Sequence, residues 1–143
     1  MGEVENYLKI ELPAISENEG LARMLAGAFL LHLNPTVEEL EDVKTALSEA
    51  VTNAVIHGYE GKGGNIELTF EKSGHEIFLQ VTDYGVGIAN VSKAMEPLFT
   101  TKPELERSGM GFTFMEAFMD EVSVESVPKK GTVVRMKKKL AEV

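Results

Sequence analysis

The sequence predicts an α+β sandwich: one mostly antiparallel sheet with helices covering one face. Three observations predict it. Apolar residues alternate at a spacing of two in five short segments and recur at helical spacing in three longer ones. Two pairs of strand segments are joined by tight turns, at Ser73-Gly74 and at Pro128-Lys129-Lys130-Gly131, as hairpins are. The resulting order, β-α-α-β-β-α-β-β, suits helices gathered on one side of a sheet. At 143 residues with 43% hydrophobic content, residues 1–143 read as a single domain with room for one core.

Leu8, Ile10 and Leu12 alternate with Lys9 and Glu11, giving a first strand that Pro13 ends. Ser16-Glu17-Asn18-Glu19 has the capping-box pattern, so a helix is expected to start at Ser16. Its core face is read as Leu21, Met24, Leu25, Ala28, Leu31 and His32. The opposite face, Ala22, Arg23, Ala26 and Leu30, is apolar apart from Arg23. A helix apolar on both faces is either buried or bound to a partner. Asn34-Pro35 breaks it. A second helix starts near Thr36, with Glu39 completing its capping box, and carries the stripe Leu40, Val43, Leu47, Ala50, Val51 and Ala54. Gly58 is its expected stop, and Gly61 to Gly64 form a loop.

Ile66, Leu68 and Phe70 alternate as a strand, and Glu76 to Thr82 return as its hairpin partner. From Asp83 to Gly111 periodicity is weak, with four glycines and two prolines. A loop this long in a compact domain is usually functional. A short helix is placed at Ser92 to Met95 and another from Phe112 to Asp120. Val122 and Val124 alternate into a strand, and Thr132 to Lys138 form the last one.

Charge and composition narrow the function. The formal net charge of −9 disfavours nonspecific binding to nucleic acid. There is no cysteine, which excludes disulfides and thiolate metal sites. The N-terminus lacks a basic stretch followed by an apolar core, and no apolar run approaches the ~20 residues that span a bilayer. The expectation is a cytoplasmic protein with neither a membrane nor a nucleic acid as direct partner.

Four groups of residues suit a nucleotide. Glu49 and Asn53 lie four apart on one face of the second helix. They read either as part of a solvated polar face with Glu38 and Asp42, or as a carboxylate base beside an amide ligand for a hard cation such as Mg2+. Asp83-Tyr84-Gly85-Val86-Gly87 follows a strand directly. It reads as a capped glycine turn, or as a place where a ligand nears the backbone while Asp83 accepts a hydrogen bond from an exocyclic amine. Thr101, Lys102, Arg107, Ser108, Gly109, Met110 and Gly111 close the long loop. Glycines before a helix start, with two cations nearby, suit phosphate. The spacing is neither that of a Walker loop nor of the dinucleotide fingerprint, and the segment's length favours a ligand lid over 97–111. The basic cluster Lys129, Lys130, Arg135, Lys137, Lys138 and Lys139 reads as solvated strand-edge charge. His32, His57 and His75 are too scattered for a metal site.

Together these motifs resemble the GHKL group of gyrase, heat-shock chaperone ATPases, histidine kinases and mismatch-repair ATPases. Glu49-x-x-x-Asn53 resembles its N-box. Asp83-x-Gly85-x-Gly87 and Ser108-Gly109-Met110-Gly111 resemble its two glycine boxes, and Gly131-Thr132 its late threonine motif. Within the group, the runs Ser48 to Tyr59 and Pro97 to Thr113 are similar to the anti-sigma-F factors of endospore-forming bacteria. The resemblance implies a Bergerat-type two-layer sandwich with a mixed, mostly antiparallel sheet. It implies a homodimer binding ATP or ADP with Mg2+, inhibition of sigma F, and serine kinase activity on an anti-anti-sigma factor. In that reading Glu49 is the general base and Asn53 holds Mg2+. Asp83 reads adenine with Thr132 assisting, and Gly85 and Gly87 shape the floor. Thr101, Lys102, Arg107 and the amides of Ser108 to Gly111 hold phosphates. Arg23 is expected at a partner surface. The alternatives are a histidine-kinase catalytic module, a gyrase-like or chaperone-like ATPase, and a partner-binding module shaped by nucleotide.

Overall fold

The computed structural model describes residues 3–96 and 111–141. Five strands form one sheet: β1 (Asn6–Pro13), β2 (Asn65–Ser73), β3 (Glu76–Asp83), β4 (Glu121–Val127) and β5 (Gly131–Lys139). Their spatial order is β1-β2-β3-β5-β4, and all four pairings are antiparallel. The main helices are α1 (Glu17–Leu30), α2 (Val37–Asn53) and α4 (Gly111–Phe118), with a single-turn α3 at Val91–Ala94. Leu12, Ile66, Leu68, Phe70, Ile77, Leu79, Val81, Val134 and Met136 are buried beneath the helices. α2 lies centrally, packed between α1 and α4. This is the expected α+β two-layer sandwich.

The second helix follows its sequence closely. The Thr36 hydroxyl accepts from the Glu39 amide at 3.0 Å, and the Glu39 carboxylate accepts from the Thr36 amide at 2.9 Å, so the capping box forms. Val43, Leu47, Ala50, Val51 and Ala54 are buried as the stripe requires. After Asn53 the helix widens into a π turn, Ala54–Gly58, and ends at the expected glycine. Such turns recur at functional sites.

Three expectations are corrected. Ser16 precedes α1 but makes no side-chain cap, because its backbone is already helical and Glu19 reaches across to α2 instead. The core face of α1 is largely inverted, with Leu25 alone of the expected residues packed against the core. Ala22, Ala26 and Leu30 are buried, whereas Leu21, Met24 and Leu31 are 41%, 73% and 66% exposed. α2 lies alongside, and the small side chains permit that approach where leucine and methionine would hold the helices apart. Finally, β5 lies between β3 and β4 rather than at an edge. Its basic residues are paired: Arg135 with Glu125, Lys137 with Glu121, and Lys138 with both Asp42 and the Phe118 carbonyl.

Among the described residues, no helix is long and apolar enough to cross a membrane.

Candidate functional site

The ends of α2, β3 and β5 meet at Asp83. This is the last residue of β3, opposite Thr132 in the ladder with β5. Both are buried, at 4% and 3% exposure. Burial pushes the Asp83 carboxyl above its ordinary value, while hydrogen bonds from the Gly85 and Thr132 amides pull it back. The Gly85 amide donates to its Oδ1 at 3.0 Å.

The π turn is pressed against this carboxylate. A Cβ on Gly58 would lie 2.7 Å from the Asp83 Cγ and 2.8 Å from both carboxylate oxygens. A Cβ on Gly85 would collide with the Gly58 carbonyl, which accepts from the Val86 amide at 2.8 Å. Glycine at both positions is therefore what lets helix end and strand end close on each other. Gly87, at a φ of 76°, turns the chain back against Val127, and the Lys129 amide donates to the Val86 carbonyl at 2.6 Å.

Hydroxyl groups complete the surround. Ser126 and Thr132 share a hydrogen bond at 2.8 Å, and Ser126 also accepts from the Ile88 amide at 2.6 Å. The Tyr59 hydroxyl accepts from the Tyr84 amide at 2.8 Å and donates to the Asn65 carbonyl at 2.6 Å. These hydrogen bonds fix the polar atoms around Asp83.

Glu49 and Asn53 lie half-buried on the last turns of α2, with Asn53 immediately before the π turn that touches Asp83. Gly111 begins α4 and is buried beside α2. The structure thus brings Asp83, Gly85 and Thr132 together against the π turn that follows Asn53, while Gly87 packs against Val127 and Pro128. Thr101, Lys102, Arg107, Ser108, Gly109 and Met110 lie outside the described residues. Arg23 is apart from this group, exposed on α1 with Nη1 4.0 Å from Glu19 Oε1. Gly58, expected only as a helix stop, and Ser126 and Tyr59, which belong to none of the four motifs, also form part of this surround.

The chain is similar over residues 12–138 to the family model described as a histidine kinase-like ATPase domain. It is 54% identical over 138 residues to the anti-sigma F factor of Clostridium acetobutylicum, covering 96% of each chain. It is 50% identical over 140 residues to that of Bacillus licheniformis, covering 97% of this chain and 96% of the relative. The chain belongs to the anti-sigma F factor family. Solved structures agree on the fold. One, comprising RsbU and RsbW domains from Mycobacterium tuberculosis, matches with a TM-score of 0.68 at 19% identity, over 96% of this chain and 33% of that one. The catalytic domain of the histidine kinase ThkA matches with a TM-score of 0.58 at 18% identity, over 96% and 99%.

Proposed function

We propose that this protein binds ATP or ADP with Mg2+ at the Asp83 cradle, transfers the γ-phosphoryl group to a serine of an anti-anti-sigma factor, and binds and inhibits sigma F as a cytoplasmic homodimer. The observation that carries the nucleotide reading is the buried Asp83 carboxylate, held by backbone amides and enclosed by Gly58, Gly85 and Gly131. Such a group accepts hydrogen bonds and suits the exocyclic amine of adenine. Thr132 assists from the neighbouring strand, and Gly85 and Gly87 form the floor under the base.

Asn53 fits a magnesium role. Mg2+ takes one or two protein oxygens and completes its shell with phosphate and water. The half-buried Asn53 at the end of α2 would supply one such oxygen and the nucleotide phosphates the others. The cation neutralises phosphate charge when bound. Glu49, one turn earlier, accepts the proton of the attacking serine hydroxyl. Thr101, Lys102, Arg107 and the amides of Ser108, Gly109, Met110 and Gly111 hold the phosphates, with 97–111 as a lid.

The exposed face of α1 supports the partner half of the reading. Leu21, Met24 and Leu31 stand in solvent, with Arg23 exposed on the same helix. Apolar residues grouped in this way mark contact surfaces, and an arginine anchors them well.

Titration of Mg-ATP and Mg-GTP into wild type and Asp83→Asn tests the site. Wild type is expected to prefer ATP, and the variant to lose most of that preference with its fold intact. Equal binding of both nucleotides by both proteins would remove Asp83 as the base-reading group.

A further inference from the structure

Glu19 leaves its expected place in a capping box and instead ties α1 to α2. The Ser48 hydroxyl donates to Glu19 Oε1 at 2.5 Å, and the Thr52 hydroxyl donates to Oε2 at 3.0 Å. A carboxylate oxygen accepts, so the hydroxyls are the donors. Serine and threonine inside helices otherwise tend to bond back to their own helix's carbonyls, which would fix nothing between α1 and α2.

The two donors are not placed at random. Ser48 directly precedes Glu49, and Thr52 directly precedes Asn53. The pairs 48/52 and 49/53 are both four apart, so they form neighbouring stripes along one helix. One carboxylate holding two successive turns of the first stripe resists both rotation of α2 about its axis and sliding along α1. Either motion would carry Glu49 and Asn53 with it. Ser48 is itself buried, so the attachment is sheltered from water.

We propose that Glu19 is a positioning residue for phosphoryl transfer: it fixes the rotation of α2 so that Glu49 and Asn53 face the nucleotide. The proposal rests on the roles given to those two residues above. Arg23 Nη1 lies 4.0 Å from the same Glu19 oxygen. A partner engaging Arg23 would therefore act on the group that holds the catalytic helix.

The test compares wild type with Glu19→Gln and with the double variant Ser48→Ala/Thr52→Val. Glutamine keeps one accepting oxygen and presents a donor where the second hydroxyl needs an acceptor. The expected result is a fall in kcat on the order of tenfold to a hundredfold. Mg2+-dependent ATP affinity should fall with it, while Mg2+-free binding at the Asp83 cradle and the far-UV spectrum are unchanged. The double variant should show the same losses, and adding Glu19→Gln to it should cost nothing more. Wild-type kcat and Mg2+ dependence in Glu19→Gln would overturn the proposal, as would a full additional loss on the double-variant background. If Glu19→Gln does not fold, the double variant decides by the same kcat and Mg2+ criteria. A wild type that transfers no phosphoryl group would remove the kinase reading instead, and Mg2+-dependent affinity would still decide for or against Glu19.

Discussion

Replacing Gly58 with alanine adds one methyl group at the point where helix, strand and ligand site meet. Its Cβ would stand 2.7 Å from the Asp83 Cγ, where ordinary van der Waals contact begins at 3.4 Å. The carboxylate or the π turn must therefore retreat by about 0.7 Å, the difference between those distances. Neither is free to do so. Asp83 is held by the Gly85 and Thr132 amides, and the Gly58 carbonyl by the Val86 amide. Overpacking of this kind costs about 1–3 kcal/mol, which lowers Tm by roughly 2–12 °C in a domain of this size. Nucleotide binding should suffer as well. A hydrogen bond to a charged group contributes about 1.5–3 kcal/mol, so its loss weakens ATP by roughly one to two orders of magnitude. Calorimetric titration with ATP, beside a thermal melt, reads both effects. A folded Gly58→Ala protein that binds ATP as wild type does would refute the claim that the Asp83 carboxylate holds the base.

The remaining predictions concern caps and titration. Thr36→Ala should destabilise by about 1 kcal/mol, because it removes a formed capping box, whereas Ser16→Ala should be near neutral because Ser16 caps nothing; equal urea midpoints for the two variants would contradict this. The folded Asp83 carboxyl titrates above its unfolded value of 3.8, so just above that pH the folded state holds more protons and this group's contribution to stability falls as pH rises. Asp83→Asn should abolish that slope while losing adenine preference; a stability-versus-pH slope unchanged in the variant would count against the burial penalty. Glu39 runs the other way: hydrogen bonds from the Thr36 and Ala141 amides hold it below 4.5, so its stabilisation is present above that pH and lost as pH falls through the lowered value. Glu39→Gln should remove that acid-side loss in urea titrations.

Much of this was legible in the chain, for reasons that differ by element. α2 was readable because its capping box, apolar stripe and terminal glycine are all local and agree. α1 carries apolar residues on both faces, and periodicity alone favoured the larger ones. Close packing against α2 chose Ala22 and Ala26, a decision made by the neighbouring helix. Glu19 has capping-box spacing from Ser16, but a local spacing cannot reveal a competing hydroxyl pair about thirty positions away. The basic residues of the last strand suggested an edge, but strand order is not encoded in any one strand, and each of Arg135, Lys137 and Lys138 met an acidic partner. At the site, Asp83, Gly85 and Gly87 stood out through local spacing. Gly58 and Ser126 matter only through contacts with distant segments, which spacing does not reveal.

Transfer of labelled phosphate from ATP to a purified anti-anti-sigma factor, comparing wild type with Glu49→Gln, tests the kinase reading most directly. The account predicts serine phosphorylation by wild type, and loss of transfer with retained Mg-ATP binding in the variant. Equal transfer by the two proteins would contradict it.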